Sequence, residues 1–242
     1  MSIVHRIPLG LRHRLFALAF PRGKTVEING DRFRLHAEHR RFGNHERETW
    51  QRFAAEIREG DVVADVGANI GAYALAAARR VGESGRVVAF EPDPRAARRL
   101  GLHARLNGLQ SRIQIVAACA GAEPGETRFA FHGRSYWSSA VSLGEREGTT
   151  YGTVPVVALD DVLPRADILK IDVEGMEGRV LAGARRLLAD PARRPRLAIV
   201  EVHPEPLAAV GESWEELRAA LPGWSWERIP GDDEEWLGRP LP

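Results

Sequence analysis

The amino-acid sequence predicts an α/β domain in which a mostly parallel β-sheet is covered by helices on both faces. From about residue 60, short and continuously apolar runs alternate with amphipathic helical segments, which is the pattern of successive βα units. The apolar runs lack the alternation of a half-exposed strand, so we expect each to be buried on both faces. The chain has 242 residues, of which 44% are hydrophobic and 28% charged, and this composition excludes disordered, collagen-like and fibrous proteins.

The charge balance and the cysteine content narrow the function classes. Lysine and arginine together number 34 against 33 acidic residues, and the resulting net charge of +1 argues against a dedicated nucleic-acid-binding protein. The single cysteine, Cys119, excludes an internal disulfide framework and is typical of a reducing compartment. We therefore expect a cytoplasmic protein.

The first 45 residues are expected to form an extension made of a helix and a hairpin, and residues 46–242 the main domain. The apolar stretch Leu9–Phe20 is interrupted by the charged segment Arg12–Arg14 and is too short to span a bilayer. It predicts an amphipathic helix that packs on the domain, rests weakly on a membrane surface, or contacts a second copy in a homodimer. No integral membrane association is expected.

The elements of the chain follow one another in a regular order. Residues 24–36 alternate around Asn29-Gly30, which indicates a β-hairpin, and Glu46–Glu59 has the apolar spacing of a helix. Five buried strands are then expected at Val62–Val66, Arg86–Phe90, Ile113–Ala118, Ile168–Val173 and Leu197–Val202. One helix is expected after the first of these strands and the turn that follows it, and it ends at Arg80. Further helices are expected over Pro94–Asn107, Met176–Leu188 and Ser213–Leu221. A strand at Trp224–Ile229 precedes a proline-rich end that we expect to be loose.

Residues 125–157 interrupt this rhythm and are expected to form an insertion of short strands and loops. Strands are predicted at Glu126–His132 and Thr153–Val157. Long insertions in compact domains are commonly functional. The polar and aromatic centre of the insertion either lines a pocket for an acceptor molecule or stabilises the insertion itself; it consists of Tyr136, Trp137, Ser138 and Ser139.

Ionisable side chains mark the ends of four predicted strands. They are Asp65 in the first, Glu91 after the second, Asp172 in the fourth, and Glu201 with His203 at the fifth. In an open α/β sheet, ligands bind beyond the carboxyl ends of the strands. The sequence therefore predicts a polar binding site along this edge.

The turn after the first of these strands is rich in glycine. Gly67 and Gly71 allow a sharp bend and close approach of a ligand, and the following helix presents free N–H groups and its positive dipole end. Asn69 replaces the middle glycine of a dinucleotide-binding turn, and the lysine of a P-loop is missing, so a smaller cofactor with a carboxylate is favoured. A tight turn without a ligand is the alternative. Glu91 is placed either to accept hydrogen bonds from both ribose hydroxyls of a nucleoside or to remain an exposed strand-end carboxylate.

These motifs resemble the FkbM family of S-adenosylmethionine-dependent methyltransferases, within the class I, Rossmann-like group. The resemblance runs from about Glu46 to Pro204. Its most specific part is the combination of DVGAN with FEPDP and KIDVEGMEG. The motifs are DVGANIGAYAL (65–75), VVAFEPDP (87–94), LNGL (106–109), VALDDVL (157–163), LKIDVEGMEGRVLAGA (169–184) and IVEVHP (199–204).

The resemblance implies a doubly wound, Rossmann-like sheet of about seven strands with a final antiparallel one, and S-adenosyl-L-methionine as cofactor. It places the methionine part of the cofactor against the glycine-rich turn and its ribose on Glu91. Asp172 would lie beside the sulfonium and the acceptor, and Glu46 would border the cofactor. The cofactor-binding set implied is Glu46, Asp65, Gly67, Ala68, Asn69, Gly71, Glu91, Pro92 and Asp172.

Methyl transfer to a hydroxyl oxygen needs a positioned acceptor and a base within hydrogen-bond reach. The candidates are Asp172, Glu174 and His203, of which His203 has an ordinary pKa near neutrality. A structural role is the alternative for two of them: His203 could bond to the backbone, and Glu174 could cap the following helix. His36, His39 and His45 fit no metal-binding template, and no metal site is expected.

The expected function is O-methylation of a hydroxyl on a small polar molecule, such as a glycoside or a secondary metabolite. The alternatives are methylation of a carboxylate or an amine, and a non-catalytic protein that binds S-adenosylmethionine. A nicotinamide enzyme is disfavoured by the missing middle glycine. The expected partner is a small-molecule acceptor and not a nucleic acid.

Overall fold

The chain folds around a central seven-stranded sheet. The computed structural model describes residues 18–36, 46–132, 138–139, 149–231 and 234–242. The strands are β1 Lys24–Ile28, β2 Asp31–Leu35, β3 Val62–Val66, β4 Arg86–Phe90, β5 Ile113–Val116, β6 Cys119–Ala120, β7 Gly125–His132, β8 Ser138–Ser139, β9 Thr149–Val157, β10 Ile168–Ile171, β11 Leu197–Glu201, β12 Trp224–Arg228 and β13 Glu235–Pro240. The helices are α1 Arg47–Glu56, α2 Ala72–Arg80, α3 Pro94–Leu106, α4 Leu159–Val162, α5 Glu177–Ala182, α6 Arg185–Ala189, α7 Pro204–Ala209 and α8 Trp214–Ala219.

The strand order of the central sheet is β12-β13-β11-β10-β3-β4-β5. The five strands from β11 to β5 are parallel, whereas β13 runs antiparallel to both of its neighbours. This arrangement confirms the predicted α/β, Rossmann-like sheet of about seven strands with an antiparallel last strand. The strands β3, β4, β10 and β11 are buried along almost their whole length, which explains their continuously apolar sequences. The strand β5, at the edge of the sheet, was expected to be buried as well, but only Ile113 is fully buried.

Two apolar cores fill the space between the sheet and its helices. Successive residues of a strand point to opposite faces, so Val63 contributes to one core and Ala64 to the other. The first core contains α1, α2, α3 and the β1–β2 hairpin, and the second contains α4 to α8. The helices therefore cover both faces, as predicted.

The predicted hairpin around Asn29-Gly30 is present and packs directly on α3. Phe33 and Leu35 of β2 are buried in the first core. The Asn107 amide group donates a hydrogen bond to the Arg34 carbonyl and accepts one from the Arg34 N–H. The helix predicted at Leu9–Phe20 lies almost entirely outside the described residues, and the division of the chain at residue 45 stays a prediction. None of the helices in the described part of the chain combines the length and apolar character needed to span a membrane.

The predicted insertion forms a second, four-stranded sheet of order β6-β9-β7-β8. The pairing of β7 with β9 is antiparallel and extends from Gly125–Val156 to His132–Thr149. Tyr136 and Trp137 lie outside the described residues. Ser138 and Ser139 form β8, whose backbone pairs with that of β7.

One predicted helix is divided in the structure. Met176–Leu188 was expected to be a single helix, but it consists of α5 and α6, separated at Gly183. A Cβ atom at Gly183 would lie only 1.9 Å from the carbonyl oxygen of Gly121. The break thus coincides with a close backbone contact between the helical layer and the chain that follows β6.

The expectation of a loose, proline-rich end is wrong. Residues Glu235–Pro240 form β13, which lies inside the central sheet between β11 and β12. The prolines lie at or beyond the ends of this strand, where no interior ladder hydrogen bond is lost. Leu237 is only 2% exposed and belongs to the first core.

The buried position of β13 can be tested by replacing leucine with alanine at one buried and at one exposed position. Leu237→Ala is expected to lower the free energy of unfolding by about 2 to 5 kcal/mol, because it leaves a cavity in the core. Leu241→Ala, at a side chain that is 44% exposed, is expected to cost less than about 1 kcal/mol. Urea unfolding at 25 °C measures both values. Equal losses in the two variants would contradict the core position of β13.

Candidate active site

A cleft opens at the carboxyl ends of β3, β4 and β10, where the sequence predicted a binding site. Its empty volume, which includes open solvent, is about 670 Å³. The apolar part of its wall includes Cys119 and Phe129 of the second sheet and Val66 and Phe90 of the central sheet. Six residues predicted from the sequence line the cleft, namely Gly67, Asn69, Glu91, Pro92, Asp172 and Glu174.

The glycine-rich turn is pressed against the end of β10. Gly67 has a φ of +85°, and a Cβ atom at this position would lie 1.7 Å from the backbone carbonyl oxygen of Asp172. Only glycine permits both this dihedral angle and this contact. Gly71, with a φ of +96°, begins α2 and packs against Leu100 in the same way. Gly67 thus fixes the shape of the cleft floor, whereas Gly71 does not line the cleft.

Most backbone donors of this turn are already used within the protein. The N–H groups of Gly67 and Ala68 both donate to the carbonyl oxygen of Phe90, at 3.0 Å each. The N–H group of Gly71 donates to Ala68, and that of Asn69 donates to Glu91. The turn therefore offers a ligand its shape and close backbone approach, while these four N–H groups are not available to a cofactor carboxylate.

Glu91 is fixed in the cleft wall through both carboxylate oxygens. Oε2 accepts a hydrogen bond of 2.8 Å from the Asn69 N–H, and Oε1 accepts one of 2.7 Å from the Asp93 N–H. Burial raises the pKa of Glu91 to about 8. Each carboxylate oxygen can accept a second hydrogen bond, so two neighbouring hydroxyl groups of a ribose fit this group.

A buried ammonium group lies beneath Asp172. Lys170 is 1% exposed, and its Nζ atom is 3.4 Å from Oδ2 of Asp172 and 4.5 Å from the ring centre of Tyr73. Burial lowers the pKa of Lys170, but the negative charges of Asp172 and Glu235 outweigh this effect and raise it well above its ordinary value. The lysine is therefore charged and holds the Asp172 carboxylate at the cleft floor.

Asp65 lies below the turn and outside the cleft lining. It is 2% exposed and is the register partner of Lys170 on the neighbouring strand. Burial raises the pKa of Asp65 to about 6, although Lys170 opposes this shift. The predicted contact of its side chain with the cofactor stays a prediction.

His203 is surrounded by carboxylates instead of facing the cleft. Its Nδ1 atom is 2.9 Å from Oε1 of Glu177, and its Nε2 atom is 3.4 Å from Glu201 and 3.6 Å from Glu174. Burial lowers the pKa of His203, but hydrogen bonds to Glu177 and Glu201 raise it to about 11. The expected pKa near neutrality is wrong, and a ring that is protonated at neutral pH cannot accept a proton.

Glu174 reaches the cleft from a strained backbone position. It has a φ of +54° and precedes Gly175, whose φ is +96°. The N-cap residue of α5 is Met176, so Glu174 lies two residues before the cap. Its carboxylate forms part of the cleft wall beside Asp172.

Glu46 belongs to a group of three glutamates next to the cleft. It is the N-cap residue of α1 and accepts a hydrogen bond of 2.7 Å from the Tyr73 hydroxyl. Carboxylate oxygens of Glu46, Glu201 and Glu235 all lie within 4.8 Å of one another. We refer to these three residues as the glutamate cluster. Glu46 does not line the cleft itself, and its predicted contact with the cofactor is untested.

Sequence reasoning missed Lys170, Glu235 and the apolar wall of the cleft. A lysine inside the apolar run of β10 was a usable signal, because a lysine is rarely buried unless it is paired. Cys119 and Phe129 carried no such signal, because their position depends on how the second sheet packs. Burial raises the pKa of Cys119 to about 12, so its thiol is not a nucleophile at neutral pH.

The parallel sheet with one antiparallel strand and the cleft at its carboxyl edge define a Rossmann-like α/β protein of the methyltransferase class. The model of the Methyltransferase FkbM domain matches residues 65–228, more than half of the chain. The chain thus belongs to the FkbM methyltransferase family, as its motifs predicted, and its methyl donor is S-adenosylmethionine. No curated protein sequence matches it.

Solved structures share this fold at low sequence identity. A protein named as an rRNA methylase from Clostridium thermocellum has a TM-score of 0.53 and 13% identity, covering 81% of this chain and 94% of its own. A protein named as an O-methyltransferase from Klebsiella pneumoniae has a TM-score of 0.52 and 16% identity, covering 99% and 94%. A methyltransferase from Geobacter sulfurreducens has a TM-score of 0.50 and 17% identity, covering 81% and 80%. At these identities the similarity shows the fold alone.

The contact between Gly67 and β10 gives a direct test of the cleft. Gly67→Ala is expected to lower the free energy of unfolding by more than about 2 kcal/mol, because the new Cβ must displace backbone. It is also expected to abolish cofactor binding measured by calorimetry. Gly108→Ala is the control, since Gly108 has a φ of +70° but no atom within 4 Å of the new Cβ. This control is expected to lose only about 1 to 2 kcal/mol and to bind the cofactor normally. Wild-type stability and affinity in Gly67→Ala would refute the assignment.

Proposed function

We propose that this protein transfers the methyl group of S-adenosylmethionine to a hydroxyl oxygen of a small polar acceptor, such as a glycoside or a secondary metabolite. The observation that carries the proposal is the position of the Asp172 carboxylate. It lies in the cleft beside the glycine-rich turn and is held from below by the buried ammonium of Lys170. When bound, the cofactor supplies an electrophilic sulfonium methyl group.

The residues of the cleft fit this cofactor. In our proposal Glu91 accepts hydrogen bonds from the two ribose hydroxyls, because two backbone N–H groups already fix its orientation. Gly67 lets the ligand approach the turn closely, and Pro92 and Asn69 complete the wall. The methionine carboxylate must find donors other than the N–H groups that this turn already uses.

Asp172 is proposed as the residue that orients the acceptor hydroxyl and takes up its proton. A carboxylate at the cleft surface can accept a hydrogen bond from the hydroxyl, which directs the oxygen lone pair towards the methyl group. Lys170 keeps this carboxylate in one position. Glu174 forms the adjacent wall and His203 acts through it as a positioning residue.

An amine acceptor is the second candidate, and the acidic character of the site favours it. Asp172 and Glu174 both face the cleft, so a cationic substrate would be attracted there. The net charge of +1 supports a small-molecule acceptor over a nucleic acid. The single, buried Cys119 is compatible with the proposed cytoplasmic location.

The proposed reaction can be tested with methyl-labelled S-adenosylmethionine and a panel of hydroxylated, amine and carboxylate acceptors, followed by mass spectrometry. Label is expected on a hydroxyl oxygen. Asp172→Asn is expected to lower kcat by about 100-fold or more, because it removes a proton acceptor. Its cofactor affinity should stay within about twofold. Asp161→Asn, at an exposed residue of α4, is the control. Label on an amine, or full activity of Asp172→Asn, would overturn the proposal.

The ribose contact of Glu91 predicts a pH-dependent affinity. Its pKa is raised to about 8 in the free protein, and the ribose hydroxyls donate to the ionised form. Affinity is therefore expected to increase at least about tenfold from pH 6 to pH 9 as Glu91 loses its proton. The probe is 5′-methylthioadenosine, which has a ribose but no amino acid group that titrates in this range. Calorimetry at several pH values measures the effect.

Glu91→Gln serves as the matched variant for this experiment. It is expected to bind 5′-methylthioadenosine more weakly at pH 9 and to show no change of affinity with pH. An affinity of the wild-type protein that is constant from pH 6 to pH 9 would remove Glu91 from the ribose site.

A further inference from the structure

The glutamate cluster brings together three carboxylates from distant parts of the chain. Glu201 ends β11 and Glu235 begins β13, and the two are register partners in the sheet. Glu46 approaches them from the start of α1, and its carboxylate also accepts the Tyr73 hydroxyl. The oxygen atoms of all three residues lie within 4.8 Å of one another.

Glu235 is the most unusual member of this cluster. It is only 2% exposed, and neither of its carboxylate oxygens has a hydrogen-bond partner in the described part of the chain. Oε2 of Glu201 is also buried without such a partner. A buried, unpaired carboxylate is costly, so this arrangement calls for a positive ligand.

The positive charge of Lys170 does not satisfy the cluster. Its Nζ atom is 3.9 Å from Oε2 of Glu201 and lies closer to Asp172, at 3.4 Å. One ammonium group therefore has to compensate the negative charge of Asp172 as well as that of the three glutamates. Because these four carboxylates share one ammonium group, the cluster keeps a negative formal charge that a divalent cation would reduce.

We propose that Glu46, Glu201 and Glu235 bind a divalent metal ion of the hard, oxygen-preferring class, such as Mg²⁺, Mn²⁺ or Ca²⁺. Carboxylate oxygens bind these ions at about 2.0 to 2.6 Å, so oxygens that share one ion lie about 3 to 5 Å apart. The spacing within the cluster falls in this range. The sequence predicted no metal site, because the three residues meet only through the fold.

The ion would join α1 to the two strands β11 and β13 at the edge of the sheet next to the cleft. Asp172 is not one of its three ligands, although it approaches the cluster through Glu201. Metal binding can therefore be tested independently of the acceptor and of methyl transfer.

The test uses the full chain after treatment with a chelator, with Mn²⁺ as the probe. Electron paramagnetic resonance is expected to show one bound Mn²⁺ per chain, and the melting temperature should rise with Mn²⁺ concentration. Mg²⁺ or Ca²⁺ should displace Mn²⁺. Glu235→Gln is expected to weaken binding at least about tenfold, because it removes one of three charged ligands. Glu83→Gln, at a side chain that is 93% exposed, should bind as the wild type does.

Measurements without metal and on further variants distinguish a folding defect from the loss of a metal ligand. Without metal, Glu235→Gln should still unfold in a single cooperative transition, because glutamine has nearly the same volume as glutamate. Glu46→Gln, which can keep the Tyr73 hydrogen bond, is the second variant and should also bind Mn²⁺ more weakly. His203→Gln should retain Mn²⁺ binding, because His203 contacts Oε1 of Glu201, whereas Oε2 of Glu201 is the buried atom without a hydrogen-bond partner.

Three results would overturn the proposal. One is the absence of Mn²⁺ binding in the wild type, which would mean that the cluster holds a proton instead. Another is equal Mn²⁺ affinity of Glu235→Gln and the wild type. The third is loss of binding in His203→Gln, which would place the ion on the neighbouring group of Asp172, Glu201 and His203.

Discussion

The buried ammonium of Lys170 is the charge around which the acidic edge of the sheet is arranged. Lysine has to be desolvated to occupy the interior of β10, and this is tolerable only because carboxylates lie on several sides of it. Its Nζ atom forms ion pairs with Asp172 and Glu201, and Asp65 is the register partner of Lys170 on the neighbouring strand β3. The lysine consequently links the cleft floor to the glutamate cluster.

A second constraint acts through the backbone and not through charge. The turn after β3 approaches the end of β10 so closely that Gly67 contacts the Asp172 carbonyl oxygen. The position of the reactive side chain and the shape of the cofactor cradle are therefore determined by the same contact. A change in either strand end would alter both the floor of the cleft and the direction of Asp172.

The sequence was sufficient to predict the parts of the fold that depend on local apolar patterns. The bounds of β3 and β4 agree residue for residue, because continuously apolar strands between helices leave few alternatives. The strand β13 was missed because prolines surround it and because its partners are determined by the tertiary fold. The pKa of His203 was misjudged for the same reason, since Glu174 precedes α5, Glu177 is the first residue of α5 and Glu201 comes from the end of β11. Asp172 and Glu91 were found because strand ends can be located in a sequence, whereas the cross-strand pair of Glu201 and Glu235 cannot.

The position of β13 within the sheet also limits which insertions and deletions the sequence can tolerate. Glu235 and Leu237 face the first core, whereas Trp236 packs on the opposite side of the sheet. Because side chains alternate along a strand, a shift of one residue would exchange these two faces and bury Trp236 where Glu235 now lies. A single-residue insertion or deletion between β12 and β13 would impose such a shift. Surface connections usually tolerate changes in length, but this hairpin turn is expected to conserve its length, although it lies outside the cleft.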